Sequence, residues 1–131
     1  MKSKYFLLAL LFFTLQNSIA NTFYVNSKTG SDKNNGKSPN KAWKTLWKVN
    51  QQAFKPGDKI LFAAGTSYQG VLAPKGSGTK RNVIQINRYG NGANPAIHGE
   101  GRRDYTLLLY NIEYWEVRNL EITNYGKERK R

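Results

Sequence analysis

Apolar and polar positions divide the chain into short, dissimilar stretches. An apolar run from Tyr5 to Leu15, broken only by Thr14, is followed by the strand-like Thr22-Phe23-Tyr24-Val25 and a turn-rich loop from Asn26 to Lys37. Ser38-Pro39 reads as a helix start, because Ser can cap free N–H groups and Pro at the first helical position loses no hydrogen bond. Ala42, Leu46, Val49 and Ala53 then recur at helical spacing with Trp43 and Trp47 beside them. That spacing predicts a helix from Pro39 to Phe54, ended by Pro56-Gly57.

Beyond Lys59 the pattern changes to short apolar segments separated by Gly and Asn. They are Ile60–Phe62, Val71–Ala73, Val83–Ile86, Ala96–Ile97, Leu107–Tyr110, Tyr114–Val117 and Leu120–Ile122, a length that suits strands. Ile60, Ile84 and Leu108 lie 24 residues apart, as do Phe62, Ile86 and Tyr110, while Leu72, Ile97 and Ile122 run at 25. Two columns with one shared period predict an all-β coil whose strands stack in parallel, a β-helix of about two and a half coils. In Trp115-Glu116-Val117 and Leu120-Glu121-Ile122 the apolar residues alternate with carboxylates, and the parity switches across Arg118-Asn119, where the chain must bend. The signature of a leucine-rich repeat is missing; an antiparallel sandwich remains open. The Pro39–Phe54 helix would cap the first coil, with all three tryptophans in the interior.

The N-terminal charges change the picture of the first residues. Lys2 and Lys4 precede the apolar run, and Ser18-Ile19-Ala20 offers small residues at a cleavage site, the order of a secretory signal peptide. A retained anchor is the alternative. The expected organisation is a signal peptide over 1–20, a strand, loop and capping helix over 21–58, and an incomplete coil domain over 59–131. The expected location is periplasmic or extracellular, with no stable membrane anchor after cleavage. The absence of cysteine excludes disulfides and lipid attachment through Cys. With 21 basic and 8 acidic residues the net charge is +13, which favours an acidic partner. In an exported chain an anionic polysaccharide fits better than nucleic acid, and the terminal Lys127-Glu128-Arg129-Lys130-Arg131 reads as a solvated end.

Several motifs resemble secreted bacterial pectate-lyase-like proteins in order and spacing. They include Phe23-Tyr24-Val25, Gly30-Ser31-Asp32, Asn35-Gly36-Lys37-Ser38-Pro39, Pro56-Gly57-Asp58 with Ile60-Leu61-Phe62, and Tyr114-Trp115-Glu116-Val117 with Asn119-Leu120-Glu121-Ile122-Thr123-Asn124. The resemblance implies a right-handed parallel β-helix (the pectin lyase fold), of which this chain would be an N-terminal fragment. It also implies a parent that cleaves acidic polysaccharide of the pectate or alginate type as a lyase, or else a non-catalytic carbohydrate-binding protein. Calcium would belong only to the full-length parent.

No catalytic, cofactor-binding or metal-ligating residue is expected in this chain, and substrate contacts stay unassigned. Asp32-Lys33-Asn34-Asn35-Gly36 departs from a calcium loop in its third ligand and its missing Glu, so it reads as a polar turn. His98, the one histidine, reads as a corner or surface residue. Arg102-Arg103-Asp104 and Arg118 could grip a carboxylate through the guanidinium fork, although charges at turns are ordinarily solvated. The chain alone is expected to be inactive.

Overall fold

The structure, a computed structural model, describes residues 19–126. The expected signal peptide falls largely, and the basic C-terminal pentapeptide wholly, outside the described residues. Seven short strands form: β1 (Thr22–Val25), β2 (Lys59–Ala63), β3 (Ser67–Gln69), β4 (Ile84–Tyr89), β5 (Ala96–His98), β6 (Trp115–Val117) and β7 (Glu121–Thr123). They build one four-stranded sheet in the order β1-β2-β4-β6 and one three-stranded sheet in the order β3-β5-β7.

Side-chain alternation explains the register. In the larger sheet Phe23, Ile60, Ile86 and Val117 lie side by side on the inner face, and Val25 lies beside Phe62. In the smaller sheet Tyr68, Ile97 and Ile122 form the matching row. Ile60, Phe62, Ile84, Ile86, Leu72 and Ile97 are fully buried between the sheets. An aromatic series crosses this core. Phe23 stacks on Trp43 at 4.9 Å, Phe54 meets Phe23 edge-on at 5.4 Å, and Trp115 meets Phe54 at 6.0 Å. Such offset and edge contacts add to the burial of large apolar area.

The expected β-helix of the pectin lyase type is not what the described residues form. Its third line of strands is missing: Val71–Ala73 and Leu107–Tyr110 meet at a single bridge, Leu72 with Leu107, and Ala53 meets Lys75 at another. The small sheets are the whole of the strand structure among the described residues. Of the predicted ladders only the step from Ile97 to Ile122 holds. Ile60 pairs with Ile86, not Ile84, and Ile86 pairs with Val117, while Leu72 has no place in the row of Ile97 and Ile122. The connections 70–83 and 99–114 differ in length, so a constant period cannot hold.

The long capping helix is corrected too. Pro39–Lys41 makes one 3-10 turn and α1 covers only Leu46–Asn50, capped by the Thr45 hydroxyl, which accepts from Lys48 N–H. Between them Trp43 behaves as strand. Its N–H donates to Tyr24 C=O at 2.9 Å and its C=O accepts from Asn26 N–H at 2.8 Å. A residue paired with β1 in this way cannot also sit in an α-helical ladder. Consequently Trp43 is buried, whereas Trp47, expected inside, is 66% exposed. Trp115 is half-buried against the core and donates to Gly76 C=O at 3.0 Å.

The bends use residues that tolerate left-handed backbone. Asn119 takes φ +54° between β6 and β7, where the parity switch requires a corner, and its side-chain amide donates to Asn87 at 2.9 Å.

Candidate functional site

The acidic side chains decide what chemistry the described residues can support. Asp32 accepts from Lys44 N–H at 2.9 Å, Thr45 N–H at 3.0 Å and the Thr45 hydroxyl. Burial pushes this carboxyl upward, but those hydrogen bonds and the Lys48 charge outweigh it and hold it below the usual aspartate range. Buried Asp58 accepts from Asn21 N–H and Lys55 N–H, both at 2.8 Å, and so fixes the turn before β2. Glu100 pairs with Arg102 at 3.0 Å, and Glu116 pairs with Arg118 while accepting from Gln85. A general acid needs a raised pKa in an apolar setting; these carboxylates sit against donors or cations instead.

The candidate arginines are thereby accounted for. Arg118 lies on the rim of the larger sheet with its guanidinium engaged by Glu116, and Arg102 is bound to Glu100 in the exposed turn that also holds Arg103 and Asp104. They do not converge. The Asp32 loop is a tight turn whose carboxylate anchors residues 44–45. Among the described residues no three His, Cys, Asp or Glu side chains gather as a metal would require.

A concave site does form beside the outer edge of β3 in the smaller sheet. A cavity of about 310 Å³ is lined by Ser27, Lys44, Thr45, Leu46, Ser67, Tyr68 and Gln69. Alternation in β3 places Ser67 and Gln69 outward and buries Tyr68 between them. The Tyr68 hydroxyl is fixed by the Thr66 hydroxyl at 2.8 Å and by Val25 C=O at 3.2 Å. Burial raises the phenol above its ordinary value, partly offset by the Thr66 hydrogen bond, so the group stays a neutral donor. From the cavity a polar row crosses the sheet in register: Gln69, His98 and Thr123. His98 therefore stands on a strand, with Nδ1 at 2.7 Å from the Thr123 hydroxyl.

The strand at 67–69 is not among those expected from the apolar pattern, because the segment is polar and short. Its signal, a buried aromatic between two polar residues before Gly70, spans only three positions.

Comparison with known proteins places these features in context. No protein-family model matches the chain. Lacto-N-biosidase of Bifidobacterium longum subsp. longum is 34% identical over 134 aligned positions, which cover 82% of this chain and 8% of that protein. Two crystal structures of GH136 lacto-N-biosidase from Eubacterium ramulus superpose over 85% of this chain and 21% of theirs. The selenomethionine form gives a TM-score of 0.77 at 32% identity and the native form 0.73 at 31%. The chain thus spans a small part of each relative. These proteins are glycoside hydrolases, which overturns the resemblance to pectate-lyase-like proteins and, with it, the expected lyase on pectate or alginate. The acidic glycan inferred from net charge finds no support in them, and the alternative of a non-catalytic binder finds none either.

Proposed function

We propose that this chain serves the hydrolysis of an oligosaccharide, as a sheet-building portion of a glycoside hydrolase of the lacto-N-biosidase kind. The observation that carries the reading is the 32% identity to the Eubacterium ramulus enzyme, at a TM-score of 0.77 over 85% of the chain. The partner is accordingly a carbohydrate. Export of the chain belongs to the same proposal and rests on Lys2, Lys4, the apolar run and Ser18-Ile19-Ala20.

Glycoside hydrolysis ordinarily uses two carboxyl groups flanking the scissile bond, one of them protonated. Asp32 and Asp58 hold backbone N–H groups, Glu100 and Glu116 hold arginines, and Asp104, Glu113 and Glu121 are exposed to water rather than set in an apolar pocket. The reading therefore assigns this portion to architecture and substrate contact, with the reacting carboxylates supplied from elsewhere in a complete enzyme.

A chimera tests it. Residues 21–126 replace the matching segment of the Eubacterium ramulus lacto-N-biosidase, and release of lacto-N-biose is measured. Retained hydrolysis supports the proposal; a soluble chimera that melts cooperatively yet releases no product contradicts it.

A further inference from the structure

Charge is distributed unevenly along the direction in which the strands stack. Residues 21–59, which build β1, the loop and α1 beside it and the approach to β2, carry eight lysines against Asp32 and Asp58. Residues 84–126, which build β4 to β7, carry four arginines against five carboxylates. The balance is strongly positive at the β1 end and close to neutral at the β6–β7 end. The ion pairs of Glu100 with Arg102 and Glu116 with Arg118 both belong to the neutral end. At the β1 end the two carboxylates are engaged by backbone N–H groups, Asp32 by those of Lys44 and Thr45 and buried Asp58 by those of Asn21 and Lys55. Lys28, Lys33, Lys41 and Lys44 stand exposed.

Lysines alone would suit any polyanion, but this surface also carries a large aromatic. On α1, Leu46 and Val49 are buried and Asn50 holds the edge at 71–73, while Trp47, next to Lys48 and three residues after Lys44, is 66% exposed. An indole left in water beside lysines suits a bilayer interface, where the ring leaves water while its N–H stays at the polar level. The chain also enters the fold at this end. Ala20 lies close to Gly57 and Asn21 N–H donates to Asp58, and at most about 25 Å of chain separates β1 from the apolar run that ends at Leu15.

We propose that the β1 end is a docking surface for the anionic phospholipid headgroups of a bilayer. Trp47 enters the interface, the exposed lysines of residues 28–44 meet the phosphates, and the β6–β7 end is directed away from the membrane. Each lysine near such a surface strengthens binding by roughly five-fold, and salt screens the attraction. The proposal does not draw on the glycosidase reading.

The test is co-sedimentation of the full chain with vesicles of pure phosphatidylcholine and of phosphatidylcholine containing about one-third phosphatidylglycerol. The chain is expected to prefer the anionic vesicles and to lose that preference as salt rises. Lys33→Ala, Lys41→Ala and Lys44→Ala combined are expected to weaken anionic binding roughly a hundred-fold. Arg102→Ala, Arg103→Ala and Arg118→Ala combined remove as many positive charges from the opposite end and are expected to change it by less than about two-fold. Each variant keeps residues 1–18 and 127–131, so the contrast reports the described surface. Bromine-labelled lipid is expected to quench the tryptophan emission of wild type and not that of Trp47→Phe, because Trp43 is buried and Trp115 half-buried. Equal binding to the two kinds of vesicle overturns the proposal, as does equal loss in the two triple variants, or quenching that survives Trp47→Phe. Tighter binding to single-stranded DNA than to anionic vesicles at equal phosphate also overturns it and assigns the surface to nucleic acid. Since the wild-type preference is itself required, a variant that fails to fold does not rescue the proposal.

Discussion

The two ends of the sheets are built differently. At the β1 end the edge is closed along β1 and at 71–73 and open at Ser67 and Gln69 of β3. Tyr24 N–H donates to Gly36 C=O at 2.8 Å, Trp43 runs beside β1, and Asn50 closes the edge at 71–73. The loop is held tightly against this end. Gly36 takes φ +73°, and a Cβ there would lie 2.6 Å from the Trp43 ring. Val25 and Val49 are fully buried beneath it. At the β6–β7 end no strand pairs with the outer edges among the described residues, and Ile122 is 40% exposed, Tyr110 72% and Tyr125 85%. Unpaired edges with apolar neighbours are aggregation-prone. One end is largely closed by specific polar contacts; among the described residues the other presents the same kind of core without a cover.

The comparison breaks most sharply under large-to-small substitution. Phe62→Ala, in the buried row near β1, is expected to cost about 3–5 kcal/mol, because it loses transfer energy and leaves a cavity. Ile122→Ala, in the same kind of row but 40% exposed at the open end, should cost only about 1 kcal/mol, since part of the lost side chain was already in water. Urea unfolding of the two variants measures the contrast, and equal losses would deny it. Next in size is Asn50→Leu, which leaves Val71 C=O and Ala73 N–H without partners. It should destabilise by about 1–3 kcal/mol, checked by the same titration.

The smallest effect is a pH dependence at the sealed end. The Asp32 carboxyl is held below its ordinary value, so its contribution is present above about pH 3.9 and is lost as pH falls through the lower folded value. Wild type should therefore be more stable than Asp32→Asn at neutral pH, and the two melting curves should converge under acid. Parallel curves across the whole range would show that Asp32 does not anchor residues 44–45.

How much was legible follows from what each feature is made of. Strands β2, β4, β6 and β7 announce themselves through alternating apolar side chains in Ile60–Phe62, Ile84–Ile86, Trp115–Val117 and Leu120–Ile122. Their register does not, since it depends on unequal loops: Ile60 meets Ile86 although Ile84 fits the period better. Trp43 and Trp47 share a helical spacing, yet one pairs with β1 and the other faces solvent, a choice made by tertiary hydrogen bonds. The cavity was invisible for a related reason. Its distinguishing groups are backbone N–H and C=O at Ser67 and Gln69, which every residue carries and which topology alone leaves free.

Amide hydrogen exchange on the folded chain addresses the sealed and open ends directly. The Tyr24, Asn26, Trp43 and Ile60 amides are predicted to be the slowest class, and those of β7 the fastest among the strands, because opening free energies track burial and edge pairing. Uniform protection from β1 to β7, or slower exchange at Ile122 than at Trp43, would contradict the account.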